Sequence, residues 1–383
     1  MFVRGTLRLG RIAGIEIAIH PSWLLIYALF AWSATTYASA EYHELTRAGV
    51  ITLGLVFSLA LFASVVLHEL SHAIVARRLG IPVGNITLFL FGGVASILRE
   101  PGAPADELKM AAAGPAASVV IALACYAIAL LLPARWAWAA DLFSLLAISN
   151  AALAVFNLLP AFPSDGGRIL RAIIWHYRNS QARATQIAGV ASLIVAALLV
   201  GGGVFLAFAG ERVLGTGPTT MVKGWWWILI GLFLGQAALA SMRGARVSLI
   251  LESMPVGDCM ARTLIPVPTT TTIAGFIAQM AVAGRSAGYP VVDDGAFVGL
   301  VTLQDTAAVP HVLWPQTPIT AVMTPSSRTP YIPAQTPASD ALATLDERHV
   351  GELPVYEDGS LAGVVSKETI YAALRAKERA MTA

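Results

Sequence analysis

Residues 50–76 read VITLGLVFSLALFASVVLHELSHAIVA, and two arginines follow. A helix rises about 1.5 Å per residue, so this apolar run is long enough to cross the hydrocarbon core of a bilayer, which is about 30 Å thick. Its only titratable side chains are His68, Glu69 and His72. Because ionisable groups are costly to place inside a membrane, those found there usually serve a function. The run therefore predicts a membrane-spanning helix that carries a functional site.

The three titratable residues belong to a His-Glu-Leu-Ser-His motif at positions 68–72. On a helix, histidines four positions apart lie one turn apart on one face, where both imidazoles can bind one zinc ion. The glutamate between them can accept a proton from a zinc-bound water. His68 lies eight residues before Ala76, so it is expected about 12 Å inside the end of the span that the arginines mark.

The composition is typical of an integral membrane protein. Of the 383 residues, 56% are hydrophobic and 13% are charged, whereas soluble domains carry about 25% charged residues. The net charge of +2 gives no indication of nucleic-acid binding. The two cysteines, Cys125 and Cys259, provide no disulfide framework and are expected to be packing residues. The N-terminal region lacks a signal-peptide cleavage motif, so no cleaved leader is expected.

Six membrane spans are predicted before residue 247, at about residues 22–38, 50–76, 108–132, 138–159, 186–209 and 224–242. With a cytoplasmic N-terminus, thirteen basic residues fall on the inner side, namely Arg4, Arg8, Arg11, Arg77, Arg78, Arg99, Lys109, Arg168, Arg171, Arg178, Arg183, Arg243 and Arg246. Four fall on the outer side, namely Arg47, Arg135, Arg212 and Lys223. Basic loops stay preferentially in the cytoplasm. This bias predicts a multi-pass protein of the cell (inner or plasma) membrane with both termini in the cytoplasm.

Residues 81–98 read IPVGNITLFLFGGVASIL, an apolar, β-branched segment that Gly92 and Gly93 interrupt. The interruption disfavours a spanning helix and predicts a β-hairpin that enters the membrane against other parts of the protein. A free strand edge there could pair with an extended peptide. A purely structural re-entrant loop is the open alternative.

A catalytic zinc usually has three protein ligands and keeps a fourth position for water. Residues 157–168, NLLPAFPSDGGR, offer one carboxylate, Asp165, at the inner end of the fourth span. The prolines end the helix and the glycines permit a tight turn. Asp165 is then at about the depth of the two histidines. An Asx turn that caps a helix beginning near Arg168 is the alternative, but the matching depth favours Asp165 as the third ligand.

These two motifs together resemble those of the site-2 proteases, which are intramembrane zinc metalloproteases that cut transmembrane segments. The resemblance covers roughly residues 10–245. It implies one zinc ion per chain and a membrane-tethered, single-span protein as substrate. The roles that it implies are zinc ligation by His68, His72 and Asp165, acid–base catalysis by Glu69, and substrate positioning by Asn157 and by the Phe91-Gly92-Gly93 stretch.

Three further positions match or depart from that family. Gly114-Pro115 in the third span has family precedent, but small-residue helix packing explains it equally well. His20 is expected to be structural or interfacial, because it has no histidine partner four residues on. Ser164 replaces a residue that is commonly aliphatic, a change that could alter local packing but should leave the carboxylate free.

Beyond Arg246 the chain repeats itself with a period of about 64 residues. YPVVDDG at 289–295 aligns with LPVYEDG at 353–359, and GLVT at 299–302 aligns with GVVS at 363–366. Each repeat predicts a helix, two short strands and a second helix. This region resembles a tandem pair of cystathionine-β-synthase (CBS) domains, with repeats at about 250–312 and 313–378. The predicted organisation is a six-span metalloprotease domain at 1–246 and a soluble α/β regulatory domain at 247–383.

The CBS resemblance implies that an adenine nucleotide (ATP, ADP or AMP) binds in a cleft between the repeats. Thr302 and Asp305 fit the motif that holds the ribose, whereas the second copy, 366–369, lacks the aspartate. We therefore expect only the first cleft to bind nucleotide well. The alternative is a pair that serves only as a platform for a homodimer.

Two functions compete. An ion transporter or channel regulated by its CBS pair would spread ionisable residues over several spans and show matching broken helices. Here the buried ionisable groups concentrate at one zinc-like site, and the intact Glu69 argues against an inactive scaffold. The sequence favours an intramembrane zinc endopeptidase.

Overall fold

The computed structural model describes residues 6–43, 45–89, 92–97, 99–209, 219–283 and 288–382. Arg4, Phe91 and Arg212, which enter the sequence analysis, lie outside these ranges. The chain divides into two compact units, Met1–Ala245 and Arg246–Ala383.

The first unit is mainly helical. Its helices are α1 (Trp23–Glu41), α2 (Arg47–Arg78), α3 (Pro104–Leu131), α4 (Ala137–Asn157), α5 (Asp165–Arg178), α6 (Gln181–Phe208) and α7 (Thr219–Glu252). Within the described ranges, α2, α3, α4, α6 and α7 are long and apolar enough to cross a membrane. The prediction of a polytopic helical membrane protein is confirmed. The first predicted span is the 19-residue α1, which is not among these five because its second half is rich in serine, threonine and alanine.

The helix ends follow local chemistry. The Thr46 side chain accepts a hydrogen bond from the Gly49 N–H at 3.2 Å, so α2 begins at Arg47 with an ordinary N-cap. Helix α7 ends at Glu252, ten residues beyond the predicted end of the sixth span. It continues because no proline interrupts it and because the polar residues after Met242 suit a solvated helix.

The predicted hairpin is present and belongs to a larger sheet. Strands β1 (Leu7–Ile12), β2 (Ile15–Ile19), β3 (Val83–Phe89) and β4 (Gly92–Ile97) lie in the order β1-β2-β3-β4. The pair β2–β3 is parallel, and the other two pairs are antiparallel. The sheet packs on α2 through a small apolar core of Ile15, Leu70, Ala73 and Ile86. Strand β4 is therefore an edge strand of this sheet.

The second unit contains two α/β repeats, as predicted. The first is β5 (Val267–Pro268), α8 (Ile273–Ala283), β6 (Tyr289–Asp293), β7 (Ala296–Val301) and α9 (Leu303–Thr306), with β8 (Thr324–Pro325) added to its sheet. The second is β9 (Ile332–Pro333), α10 (Ala338–Glu347), β10 (Glu352–Glu357), β11 (Ser360–Ser366) and α11 (Lys367–Thr382). In each repeat the first two strands are parallel and the last two antiparallel. Each repeat also has its own apolar core.

Candidate metal centre

The structure brings together three side chains that the sequence analysis predicts as zinc ligands. The Asp165 Oδ2 atom lies 3.2 Å from His68 Nε2 and 3.1 Å from His72 Nε2. The two Nε2 atoms are 3.3 Å apart. All three residues are buried, with 4%, 5% and 9% of their surfaces exposed. In the described part of the chain, no other group of His, Cys, Asp and Glu residues places three ligand atoms this close together.

This donor set fits zinc. Zinc binds imidazole nitrogen and carboxylate oxygen at about 2.0–2.1 Å, usually in a tetrahedron, which separates neighbouring ligand atoms by about 3.3 Å. The three donor atoms already have separations of 3.1–3.3 Å. Three protein ligands leave a fourth tetrahedral position for water or substrate, which is the pattern of a catalytic rather than a structural site.

Helix α3 orients both imidazoles. The His72 Nδ1–H donates to the Met110 carbonyl oxygen at 2.6 Å, and His68 Nδ1 lies 2.9 Å from the Ser118 hydroxyl. Because a carbonyl oxygen only accepts, His72 carries its proton on Nδ1 and presents a lone pair at Nε2. Partners of this kind fix the ring orientation of metal-binding histidines. Sequence reasoning missed Met110 and Ser118, which lie four residues on either side of Gly114.

Gly114 makes room for the centre. A Cβ atom at this position would lie 2.1 Å from His72 Nε2 and 2.5 Å from His68 Nε2, which is too close for any side chain. The glycine therefore lets α3 approach the two imidazoles. Of the two explanations that the sequence left open, the structure supports a role at the site over generic helix packing.

The carboxylate is placed by a loop that folds back on the start of α5. Ser164 is the N-cap, and its hydroxyl lies 2.6 Å from both the Leu159 and the Ala161 carbonyl oxygens, which share its one proton. The serine thus replaces aliphatic packing with hydrogen bonds inside the loop. Gly166 approaches the Leu158 and Leu159 carbonyl oxygens so closely that a Cβ would lie 2.3 Å from each.

Two details of the sequence interpretation are corrected by this loop. The helix that the Asx-turn alternative placed near Arg168 begins at Asp165, and the two glycines lie in its first turn rather than in a loop turn. The physical reason is steric, since the first turn of α5 packs directly on the backbone of residues 158–162. Only glycine fits at that distance.

A buried ion pair ties α3 to α5 near the centre. The Arg171 Nε–H donates to Glu107 Oε1 at 2.8 Å, and a second Arg171 nitrogen bonds the same oxygen. Glu107 is fully buried, and Arg168 lies 3.7 Å from it. Since Asp165 occupies the first turn of α5, this pair helps to fix the carboxylate relative to α3.

Glu69 lies beside the centre under the edge strand. A Cβ on Gly93 would lie 2.5 Å from Glu69 Cγ and 3.4 Å from Glu69 Oε1, so the backbone of β4 lies against this side chain. The strand β4 thus passes directly over the predicted catalytic base. Gly92, at the start of β4, faces Phe89 across the hairpin.

Two predicted residues lie outside the donor group. Asn157 ends α4, and its side-chain NH₂ donates to the Leu153 carbonyl oxygen at 3.1 Å. His20 precedes α1, and its Nδ1 lies 2.7 Å from the Ser22 hydroxyl and accepts from the Ser22 N–H.

The predicted nucleotide residues lie in a cleft of about 1360 Å³ between the two repeats of the second unit. Asp305 Oδ2 accepts from the Thr302 N–H at 2.7 Å, and the Asp305 N–H donates to the Thr302 hydroxyl oxygen at 3.4 Å, which forms a capping box at α9. Asp305 Oδ2 also lies 2.9 Å from that hydroxyl. Thr369 and Ser366 form the corresponding cap at α11 without a carboxylate.

Comparisons with known proteins agree with both units. The model for peptidase family M50 matches residues 56–134 and 134–202, and the CBS domain model matches 256–309 and 319–376. A candidate zinc metalloprotease of Synechocystis sp. is 32% identical over 380 residues, which is 98% of this chain and 97% of that protein. One from Mycobacterium tuberculosis is 32% identical over 375 residues, 96% of this chain and 92% of its own.

A zinc metalloprotease of Methanocaldococcus jannaschii is 27% identical over 379 residues, which is 96% of each chain. Among solved structures, the site-2 protease of the same organism matches with a TM-score of 0.40 and 27% identity, covering 62% of this chain and 95% of that one. The family assignment rests on the 32% identity with the Synechocystis protein over nearly the full length of both chains. This chain belongs to the site-2 protease family of intramembrane zinc metalloproteases, peptidase family M50, and carries a tandem pair of CBS domains.

Proposed function

We propose that this protein is a zinc endopeptidase that cleaves the transmembrane segments of membrane-tethered, single-span proteins. The observation that supports this most directly is the buried triangle of two imidazole nitrogens and one carboxylate oxygen, with edges of 3.1–3.3 Å, on and beside an apolar helix of membrane-spanning length. His68, His72 and Asp165 are proposed to hold one zinc ion. A transporter or channel does not require a glutamate directly after the first histidine of that motif.

The chemistry assigns one task to each group. When bound, zinc lowers the pKa of a water molecule to about 7 and polarises a peptide carbonyl. Glu69 takes the proton from the attacking water and delivers it to the leaving amine as general base and then acid. The imidazoles stay fixed because the Met110 carbonyl and the Ser118 hydroxyl hold their far nitrogens.

Strand β4 is proposed to hold the substrate. A helical substrate must unwind before its amide bonds can react, and an extended segment can be stabilised by adding to a free sheet edge. The edge strand β4 runs next to Glu69 through Gly93 and Ala95, so a paired substrate would pass close to the base. Asn157, half-exposed at the end of α4, is proposed to help position it.

The remaining proposals concern placement and regulation. The distribution of arginine and lysine favours cytoplasmic termini in the cell membrane, with the zinc site nearer the cytoplasmic face. Residues 1–246 are proposed as the protease domain and 247–383 as its regulatory domain. That domain is proposed to bind an adenine nucleotide through Thr302 and Asp305, whose Oδ2 is already engaged in the cap while Oδ1 can accept from a ribose hydroxyl. A homodimer platform without nucleotide is the second candidate.

The protease proposal is tested by Glu69→Gln, with Glu41→Gln on the exposed end of α1 as the matched control. Membranes from otherwise identical cells that express each form are compared by quantitative mass spectrometry of single-span protein fragments. General base catalysis contributes about 10²- to 10⁴-fold, so fragments made by the wild type and by Glu41→Gln should disappear with Glu69→Gln. The Glu69→Gln protein should keep its zinc. Fragment patterns that are the same for all three proteins would show that Glu69 is not the base.

A further inference from the structure

The cleft between the CBS repeats is unusually acidic for a site expected to take phosphates. Six charged or titratable residues of the described chain line it: Asp305, Asp346, His349, Glu352, Lys367 and Glu368. Lys367 is bonded to Asp346, which neutralises that pair. Three carboxylates therefore remain without a basic partner in the described part of the cleft.

Glu352 is the unusual member of this set. It opens β10 and is only 9% exposed, yet it lines the cleft. Its Oε2 atom is buried, and no described residue provides a hydrogen-bond partner for it. Buried polar atoms are nearly always bonded, and a carboxylate oxygen left unpaired is costly. This oxygen faces the cleft without a hydrogen-bond donor, so it requires either a proton or a ligand that donates a hydrogen bond to it.

The opposite repeat fixes the position of this carboxylate. Glu352 and Gly288 are equivalent residues of the two repeats, 64 positions apart. A Cβ on Gly288 would lie 1.6 Å from Glu352 Oε2, so the carboxylate occupies the space that the glycine leaves open. The asymmetry between the repeats at this one position therefore creates a single acidic pocket in the cleft.

The carboxylate also lies in a negative field. Burial, Glu368 and Asp305, in that order of effect, raise the pKa of Glu352 to about 8. Near neutral pH the empty cleft thus keeps a proton on Glu352. An ammonium group can displace that proton and form a charge-assisted hydrogen bond. Above this pKa the ionised carboxylate accepts from a neutral amine, whereas a phosphate meets like charge and a carbonyl oxygen meets a lone pair.

We propose that the cleft between the CBS repeats selects ligands that carry an amino group, with Glu352 as the acceptor of that group. This inference rests on the proposed ligand-binding role of the CBS pair and specifies its chemistry. The amino group can come from two sources, the exocyclic amine of an adenine base or the aliphatic ammonium of a polyamine. Above its pKa of about 8, where it is ionised, Glu352 discriminates against nucleosides with an oxygen at the same ring position.

Calorimetric titration of the full-length protein in detergent separates these sources. Adenosine, inosine, spermidine and AMP are titrated into wild type, Glu352→Gln, Gly288→Ala and the exposed control Glu347→Gln. If adenine is the source, wild type and control at pH 9, where Glu352 is ionised, should bind adenosine at least tenfold more tightly than inosine, in which a carbonyl oxygen replaces the amine. Glu352→Gln should lose this preference, because an amide can present either a donor or an acceptor.

If a polyamine is the source, spermidine should bind the wild type and weaken at least tenfold in Glu352→Gln. Its binding at pH 7 should also release up to one proton, which titrations in two buffers of different ionisation enthalpy measure. Gly288→Ala displaces the carboxylate without removing it and should weaken the same probe. Hydrogen exchange across 246–383 checks that each variant is folded.

Two results would overturn the inference. AMP or adenosine binding that is equal to inosine binding, or unchanged in Glu352→Gln, would leave a nucleotide site in place and remove Glu352 from it. No binding of any probe would overturn both the amine selectivity and the nucleotide role, and it would leave the dimer platform.

Discussion

Replacing Gly114 by alanine should remove zinc while leaving the fold intact. The new Cβ would lie 2.1 Å from His72 Nε2 and 2.5 Å from His68 Nε2. Non-bonded heavy atoms prefer about 3.5 Å, so the contacts fall short by about 1.4 and 1.0 Å. The obstructing atoms are the far ends of two side chains rather than backbone, so the imidazoles can swing aside without unfolding α3.

This displacement of the two imidazoles is incompatible with metal binding. Metal–ligand distances hold within about 0.2 Å in functional sites, and a swing of 1 Å also breaks the bonds to the Met110 carbonyl and the Ser118 hydroxyl. Loss of such partners alone costs about 10- to 100-fold in metal affinity. With both ligands displaced, zinc affinity should fall by more than about 100-fold. The helix itself should tolerate the change, since alanine favours helix by about 1 kcal/mol over glycine.

The assay is zinc content by mass spectrometry of the purified protein, followed by competition with a chelator of known affinity. Gly201→Ala on α6 is the matched control, because a Cβ there meets open space. Helical content should be the same for both variants, and so should thermal unfolding once a chelator has removed zinc from both. If Gly114→Ala retained one zinc per chain at wild-type affinity, the centre could not lie between these imidazoles as described.

Four further predictions follow from the same contacts. Ser118→Ala should weaken zinc binding about 10- to 100-fold in a chelator competition without changing secondary structure. Glu107→Gln breaks the buried ion pair between α3 and α5 and should lower the free energy of unfolding by about 3 kcal/mol or more, seen as a lower Tm in detergent. Gly93→Ala pushes a methyl group against Glu69 and should reduce cleavage in the membrane proteomics assay while zinc content stays at the wild-type level. For Glu352, a folded-state pKa of about 8 against an ordinary value of 4.5 means that the second unit loses stability as the pH rises through that window, by up to about 5 kcal/mol. Native-state hydrogen exchange of 246–383 should show this loss in wild type and a flatter profile in Glu352→Gln.

The sequence predicted those residues of the site whose roles follow from short-range spacing along the chain. His68 and His72 share a helix face by virtue of four-residue spacing, and Asp165 stands out as the only carboxylate between helix-ending prolines and two glycines. The partners of these ligands were not predictable in the same way. Met110 acts through a backbone carbonyl, which every residue has, and Ser118, the only serine or threonine of α3, contacts a histidine 50 positions away, which no local spacing indicates.

The fold was likewise predicted only in part from the sequence. Helix lengths and the repeat period of the second unit followed from hydropathy and alignment. The N-terminal hairpin was missed because its turn has the sequence Ala13-Gly14. Both residues have positive φ, a conformation that Asn-Gly would have indicated much more strongly. Its pairing with β3 joins residues about 70 positions apart, which no local pattern encodes. Likewise, the alignment of Gly288 with Glu352 is visible in the sequence, but the burial of the carboxylate is not.

The contacts of α3 imply that metal binding and substrate binding have separate supports. Glu107, Met110, Gly114 and Ser118 form one stripe along α3, with spacings of three, four and four residues. This stripe contacts both ligand-bearing elements, the imidazoles of α2 and, through the ion pair, the helix that starts with Asp165. Glu69 is contacted instead by β4, which belongs to the sheet. If a substrate adds to β4 as proposed, its contacts reach Glu69 rather than the three donor atoms, so we expect substrate binding to shift the base more than the affinity for the metal.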